Sequence, residues 1–284
     1  MKKILTCTDG STYASSVYDH TAWAARRTNA AVHVLHMLDP HRERAEIADL
    51  SGNIGPDSGD TLLKELVSLE ETKNRLAREK GKAILEAARR HLAAAGVSEI
   101  TVEQQHGKLV ETVVRMEAGA DMVVIGKRGE SAELAEQHLG PNLERVIRTS
   151  IRPILVASRE FSPIERLLIA FDGGPSSKKA VAFAVEDPLL RGLECHLLMV
   201  GRSSTTAGDE MQTAAKNLTA AGYSLNARHL PGHVEEVIGT TIKGENIQLL
   251  VMGAYGHSRI RHLIIGSATT SMVRTCNIPV LMFR

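Results

Sequence analysis

Leu249-Leu250-Val251-Met252-Gly253-Ala254-Tyr255-Gly256, then nine residues, then Gly266-Ser267-Ala268-Thr269, is the stretch on which the fold turns. Its apolar run has the profile of a strand covered on both faces, and such strands belong to parallel sheets. The run stops at a glycine turn, and open α/β sheets bind ligands in the crevice outside the carboxyl ends of their strands. Gly253 and Gly256 allow the backbone to come close to a ligand. Gly266-Ser267 opens a helix, whose free N–H groups and positive dipole end suit a phosphate. Ser267 and Thr269 add hydroxyl donors on the same lip. The pattern is a split phosphate cradle, distinct from the P-loop and from the dinucleotide fingerprint.

The frame recurs. The first copy reads Met122-Val123-Val124-Ile125-Gly126-Lys127-Arg128-Gly129, then Gly140, then Pro153-Ile154-Leu155-Val156. The second ends in Pro279-Val280-Leu281-Met282, and Ile147-Arg148-Thr149 has its match in Val273-Arg274-Thr275. The openings agree too, with Leu5-Thr6-Cys7-Thr8-Asp9-Gly10 facing Leu168-Ile169-Ala170-Phe171-Asp172-Gly173. A repeat of this length means two tandem domains, since solenoid units are a few tens of residues. The expected boundary is the polar stretch Ser158-Arg159-Glu160-Phe161-Ser162-Pro163, which divides the chain into 1–158 and 164–284.

Each half reads as alternating strand and helix. Strands are expected near 2–8, 31–38, 99–105, 121–126 and 153–157, then near 166–171, 194–200, 224–229, 248–253 and 279–283. The fold class is therefore α/β: two tandem doubly wound domains, each a five-stranded parallel sheet with helices on both faces. Asp9 and Gly126 lie 117 positions apart, whereas Asp172 and Gly253 lie 81 apart. The surplus is an insertion over 39–72. Its residues 39–61, with Pro40, Gly52, Gly55, Pro56 and Gly59, suggest a long polar loop. Leucines at 62, 63, 66 and 69, then Ile84, Leu85, Ala88 and Leu92, predict a helix over 62–95. The last strands, 153–157 and 279–283, would each be an open edge unless paired, so Ile154-Leu155-Val156 is expected beside Val280-Leu281-Met282.

Hydrophobic residues make up 43% of the chain, enough for two cores, and aromatics only 3%, so the cores are aliphatic. The 34 basic and 33 acidic residues leave a net charge of +1, which argues against a dedicated nucleic-acid or membrane-surface binder. No segment approaches the ~20 apolar residues of a membrane span. Cys7, Cys195 and Cys276 have no metal or redox spacing and fit a reducing cytoplasm. His33 and His36 fall on opposite faces of a strand, so they are not expected to share a metal.

Given the repeat, the Asp-Gly pair and the split cradle, the chain is similar to a tandem universal stress protein. The resemblance covers nearly the whole chain, one family domain per half, and implies a Rossmann-like, adenine-nucleotide α-hydrolase-like fold. ATP-binding members carry Gly-x2-Gly-x9-Gly-Ser/Thr, which Gly253, Gly256, Gly266 and Ser267 reproduce. The resemblance implies ATP as the ligand, with Mg²⁺ as its counter-ion and Ala268 and Thr269 on the helix lip. It places Asp172 near the nucleoside, with Ala170 beside it, and Asp9 in the same place in half one. It maps the residue at the end of strand two, whose backbone meets adenine, to Met199, and to Met37 in half one. His257, directly after Gly256, is the better ligand candidate of the intervening charges; Arg261 and His262 read as a solvated loop.

Half one departs from the motif. Ten residues separate Gly129 from Gly140, and Pro141-Asn142 follows where half two has Ser267-Ala268. Proline is comfortable in a first helical turn but has no N–H to offer. A hydroxyl is lost as well. Charge-assisted hydrogen bonds contribute ~1.5–3 kcal/mol each. Losing both weakens a site roughly a hundredfold or more. Half one is therefore read as a degenerate nucleotide site.

Blander roles stand beside these. Asp172 could only close a turn, and Ser267 could only cap a helix. Cys7 could be a reactive thiol or a buried structural one. The expected function is an ATP-binding regulatory module for stress response, with intramolecular pairing of the two domains and a homodimer left open. An enzyme of slow ATP hydrolysis or of nucleotidyl or phosphoryl transfer is the alternative, though no P-loop and no clear general base are present. A scaffold without nucleotide is the third reading.

Overall fold

The computed structural model describes residues 1–38, 56–127, 141–202, 205–254 and 267–284. Half one supplies β1 (Lys3–Thr8), α1 (Ala14–Thr28), β2 (Ala31–Leu38), α2 (Pro56–Ala94) and β3 (Ile100–His106). It continues with α3 (Leu109–Met116), β4 (Met122–Gly126), α4 (Pro141–Thr149) and β5 (Ile154–Ala157). Half two supplies β6 (Arg166–Ala170), α5 (Pro175–Glu186), β7 (Glu194–Val200), α6 (Thr205–Ala220) and β8 (Leu225–Leu230). It ends with α7 (Val234–Gly244), β9 (Leu249–Gly253), α8 (Ser267–Thr275) and β10 (Val280–Phe283).

The strands form one ten-stranded sheet in the order β3-β2-β1-β4-β5-β10-β9-β6-β7-β8. Every pairing within a half is parallel, and the seam between halves is antiparallel. At the seam Val280 faces Val156, Leu281 faces Leu155 and Met282 faces Ile154. This is the expected pairing of the two last strands, and it removes both open edges.

Alternation of side chains across the strands sends residues to two aliphatic cores. One core gathers Val32, Val34, Leu155, Leu167, Ile169, Leu197 and Leu281 under α1, α2, α5 and α6. The other gathers Leu35, Val123, Val156, Leu168, Leu250 and Val280 under α3, α4, α7 and α8. Both cores run across the seam, so the halves share their interior. Leu155 and Leu281, opposed across it, are fully buried.

α2 differs from expectation at its start. Residues 56–61, whose turn formers suggest a loop, are helical from Pro56. Proline suits a first turn, and the acidic residues at 57 and 60 suit the positive end of a helix. The rest of the expected loop, 39–55, lies outside the described residues. With 39 residues, α2 is about 58 Å long at 1.5 Å per residue. Among the described residues it packs mainly through its last part, at Gly81, Leu85, Ala88 and Leu92.

Candidate functional site

Half two has its topological switch between β6 and β9. From β6 the chain moves outward to β7 and β8, while β9 and β10 lie on the other side. Ligand crevices of open α/β sheets form outside the carboxyl ends of such strands. Because β9 and β10 are parallel, the helix joining them runs back against them. α8 therefore begins at the same carboxyl rim.

Asp172 follows β6 at this rim. Its Oδ1 accepts the Gly174 N–H at 2.9 Å and the Ser177 hydroxyl at 2.6 Å. Gly173 between them has a φ of 74°, the left-handed region where a side chain is strained. Ser177, buried in the first turn of α5, thus ties the strand end to the helix start. Half one repeats the turn with Asp9: the Ser11 N–H reaches its Oδ1 at 3.0 Å, and Gly10 has a φ of 70°. Both aspartates therefore close the turn that follows their strand. Sequence reasoning missed Ser177, although a hydroxyl five residues after an Asp-Gly pair was the available signal.

Gly253 has a structural reason to be glycine. A Cβ there would lie 2.9 Å from the Ser176 Cβ, 2.9 Å from the Ser177 nitrogen and 3.2 Å from the Ser176 carbonyl carbon. The end of β9 thus lies directly against the first turn of α5. Asp172, Ser177 and Gly253 form one packed corner at the switch point. Ala170 ends β6 beside Met252 and Leu198.

The register of β7 corrects one residue match. Cys7 and Ala170 each stand two positions before the aspartate. Cys7 pairs with Leu35 and Ala170 with Leu198. It follows that Met199 matches His36, and Met37 matches Val200. The two methionines are not counterparts. Position at the end of strand two suggested the match, but hydrogen-bond register decides it. Met199 is buried in the core, and Val200 is the last residue of β7.

Ser267, Ala268 and Thr269 form the first turn of α8, so the helix starts where the motif expects it. Gly256, His257, Gly266, Arg261 and His262 lie outside the described residues, as do Gly129 and Gly140 of half one.

Among the described residues, the half-one rim is more crowded than the half-two rim. α2 crosses the former. A Cβ on Gly81 would fall 2.8 Å from the Gln104 side-chain carbon and 3.0 Å from the His36 Nδ1. A Cβ on Gly10, beside Asp9, would fall 2.5 Å from the Ile84 Cγ1. In half two the nearest atom to such a Cβ on Gly173 is the Glu210 Cβ at 3.8 Å, and Gly208 meets nothing within 4 Å. α4 starts at Pro141, so its first residue has no N–H to present.

Burial pushes the Cys7 thiol up to about 12, and Cys195 likewise. Both thiols are buried and free, the setting of structural cysteines and not of reactive ones. His33 lies 2.9 Å from the Glu103 carboxylate, while His36 faces Gly81, so the two do not converge. Among the described residues no group of three or more His, Cys, Asp or Glu is placed to hold a metal, and no helix is long and apolar enough to cross a membrane.

The model of the Universal stress protein family matches residues 1–158 and 163–284. Universal stress protein Slr1230 of Synechocystis sp. is 41% identical over 287 residues, spanning 100% of both chains. A solved universal stress protein from Archaeoglobus fulgidus is similar over 99% of this chain and 98% of its own, with a TM-score of 0.75 at 18% identity. A family protein from Arabidopsis thaliana, solved with AMP bound, is similar over 43% of this chain and 91% of its own, with a TM-score of 0.33 at 16% identity.

Proposed function

This chain belongs to the universal stress protein family, and from that membership we propose that its second half binds ATP and presents a nucleotide-dependent surface for regulation under stress. The observation that supports the proposal is the meeting of β6, β9 and the start of α8 at one carboxyl rim. The backbone N–H groups opening α8 cradle the phosphates, helped by the Ser267 and Thr269 hydroxyls. Gly256 and Gly266 belong to the same cradle by the motif they complete. Asp172 keeps one carboxylate oxygen for its own turn and offers the other to the ribose. The ends of β6 and β7, at Ala170 and at Met199 and Val200, line the base. His257 neutralises phosphate charge. Mg²⁺ accompanies the nucleotide as its counter-ion and is held by its phosphates.

Half one keeps the aspartate turn but binds no nucleotide. Pro141 takes away a donor, and α2 with Ile84 fills the space beside Gly10.

Isothermal titration of the full chain with Mg-ATP tests this reading. One site per chain is expected. Asp172→Ala should narrow the preference for ATP over inorganic triphosphate while leaving the phosphate cradle in place. Two equal sites, or no binding at all, would sink the proposal. Hydrolysis faster than about 1 s⁻¹, the low end of ordinary enzyme rates, would make the protein an enzyme instead.

A further inference from the structure

The amino-terminal part of α2 carries a second, unexplained surface. From residue 64 to residue 80 the helix is largely exposed, and α2 touches β2, β3 and α1 through its later residues. Val67, Leu69 and Leu76 are 50%, 51% and 56% exposed. α6, the counterpart in half two, has 16 residues against the 39 of α2 and makes no such extension. Helices in water owe most of their stability to packing of an apolar face. The turns before Arg78, whose carbonyl accepts from Gln104, keep Val67, Leu69 and Leu76 half exposed, and such a stretch is a surface awaiting a partner.

The pattern of the stretch narrows the partner. Leu66, Leu69, Lys73 and Leu76 recur at spacings of three, four and three, which is the seam of a two-helix coiled coil. Lys73 interrupts that seam, and a cation in an apolar seam needs a carboxylate. Glu70 and Lys73 lie on either side of a midpoint near Glu71-Thr72. A parallel pairing would set Lys73 against Lys73 and Glu70 against Glu70. An antiparallel pairing about that midpoint sets Glu70 of each helix beside Lys73 of the other. The same register brings Leu66 and Leu69 of each helix against Leu76 of the other. The stretch is thus complementary to itself when reversed, the property of an interface between identical copies about a twofold axis.

We propose that residues 64–80 of α2 form an antiparallel helix pair with the same residues of a second copy of this chain, making a dimer through the arm and not through the sheet. The seam strands β5 and β10 already cover each other within one chain, so the dimer contact lies elsewhere. The arm supplies it with leucines for affinity and Glu70–Lys73 pairs for orientation.

Sedimentation equilibrium of the full chain tests this. The wild type should sediment as a concentration-dependent dimer. Leu69→Glu combined with Leu76→Glu should give a folded monomer with the far-UV circular dichroism of the wild type and a melting temperature that no longer depends on protein concentration, because both side chains are exposed in the single chain. Lys73→Glu alone and Glu70→Lys alone should each weaken dimerisation about tenfold, the scale of a charge pair set against a like charge. The two reversals together should restore it to within a few-fold of wild type. A monomeric wild type overturns the proposal, as does a dimer indifferent to the leucine changes. A dimer that the leucine changes break but the paired reversal does not rescue overturns the antiparallel arrangement.

Discussion

Half one and half two run the same backbone through the same Asp-Gly turn, yet they treat the space above that turn in opposite ways. In half two Gly173 looks out toward Glu210, 3.8 Å away from where a Cβ would be. In half one Ile84 leans on Gly10, and Gly81 lets α2 settle onto Gln104 and His36. The strand order repeats from one half to the other, because parallel register and a shared core leave little freedom. The rim carries no such constraint. One long helix, laid across it, turns a crevice into packing.

The comparison breaks or holds at four places. The largest effect is expected at the helix start of each half. Ser267→Pro copies the half-one sequence into half two and should lower ATP affinity roughly a hundredfold or more. Pro141→Ser should leave affinity unchanged, and binding measured by titration calorimetry on both variants decides the asymmetry.

Next comes the corner glycine. Gly253→Ala forces a Cβ against Ser176 and Ser177, and overpacking of this kind costs about 1–3 kcal/mol. Gly208→Ala, which meets open space in α6, should instead be neutral or stabilise by up to ~1 kcal/mol. Urea midpoints of the two variants should move in opposite directions or only the first should move.

A smaller difference separates the two aspartate turns. Ser177→Ala removes the hydroxyl bonded to Asp172 and should cost about 1 kcal/mol. Ser11→Ala keeps the backbone N–H that holds Asp9 and should be silent in the same chemical melt.

The smallest effect is acid sensitivity. His20 is fully buried in half one, with the Ser16 carbonyl on one ring nitrogen and Ser158 on the other. Burial lowers its pKa, with the Ser16 bond and Asp19 opposing. The native protein holds it neutral, and the unfolded chain binds the proton first. Its contribution is complete above the unfolded value of about 6.5 and is lost progressively as pH falls below it, toward the lower value of the folded state. Melting from pH 7.5 to pH 5.5 should therefore weaken the wild type more steeply than His20→Gln. Equal slopes would assign the acid response to another group.

Much of the architecture was legible in the residues because it rests on patterns that depend on them alone. Apolar runs such as Leu249-Leu250-Val251-Met252 can only be buried strands, and Ile154-Leu155-Val156 with Val280-Leu281-Met282 announced edges that needed covering. The start of α2 was not legible, since Pro56 and Gly59 signal a loop by type while proline in a first turn signals a helix by position. The match of Met37 to Met199 failed because a strand's end read from sequence alone can be off by one residue, and only the pairing register fixes it. The role of Gly253 toward α5 was hidden for a different reason: the contact joins residues far apart in sequence, and a glycine required by a ligand looks the same as one required by a neighbouring helix. What surrounds Gly256, His257 and Gly266 lies outside the described residues.

The antiparallel seam gives the molecule polarity. Strands of half one and half two point in opposite directions across it, so their carboxyl rims face away from each other. The arm of α2 leaves from one rim, and the rim beside Asp172 is the other. Under the two proposals above, adhesion lies at one pole and ligand access at the far pole. Joining two copies by their arms leaves both ligand poles outermost, where occupancy of one end places no steric demand on the other.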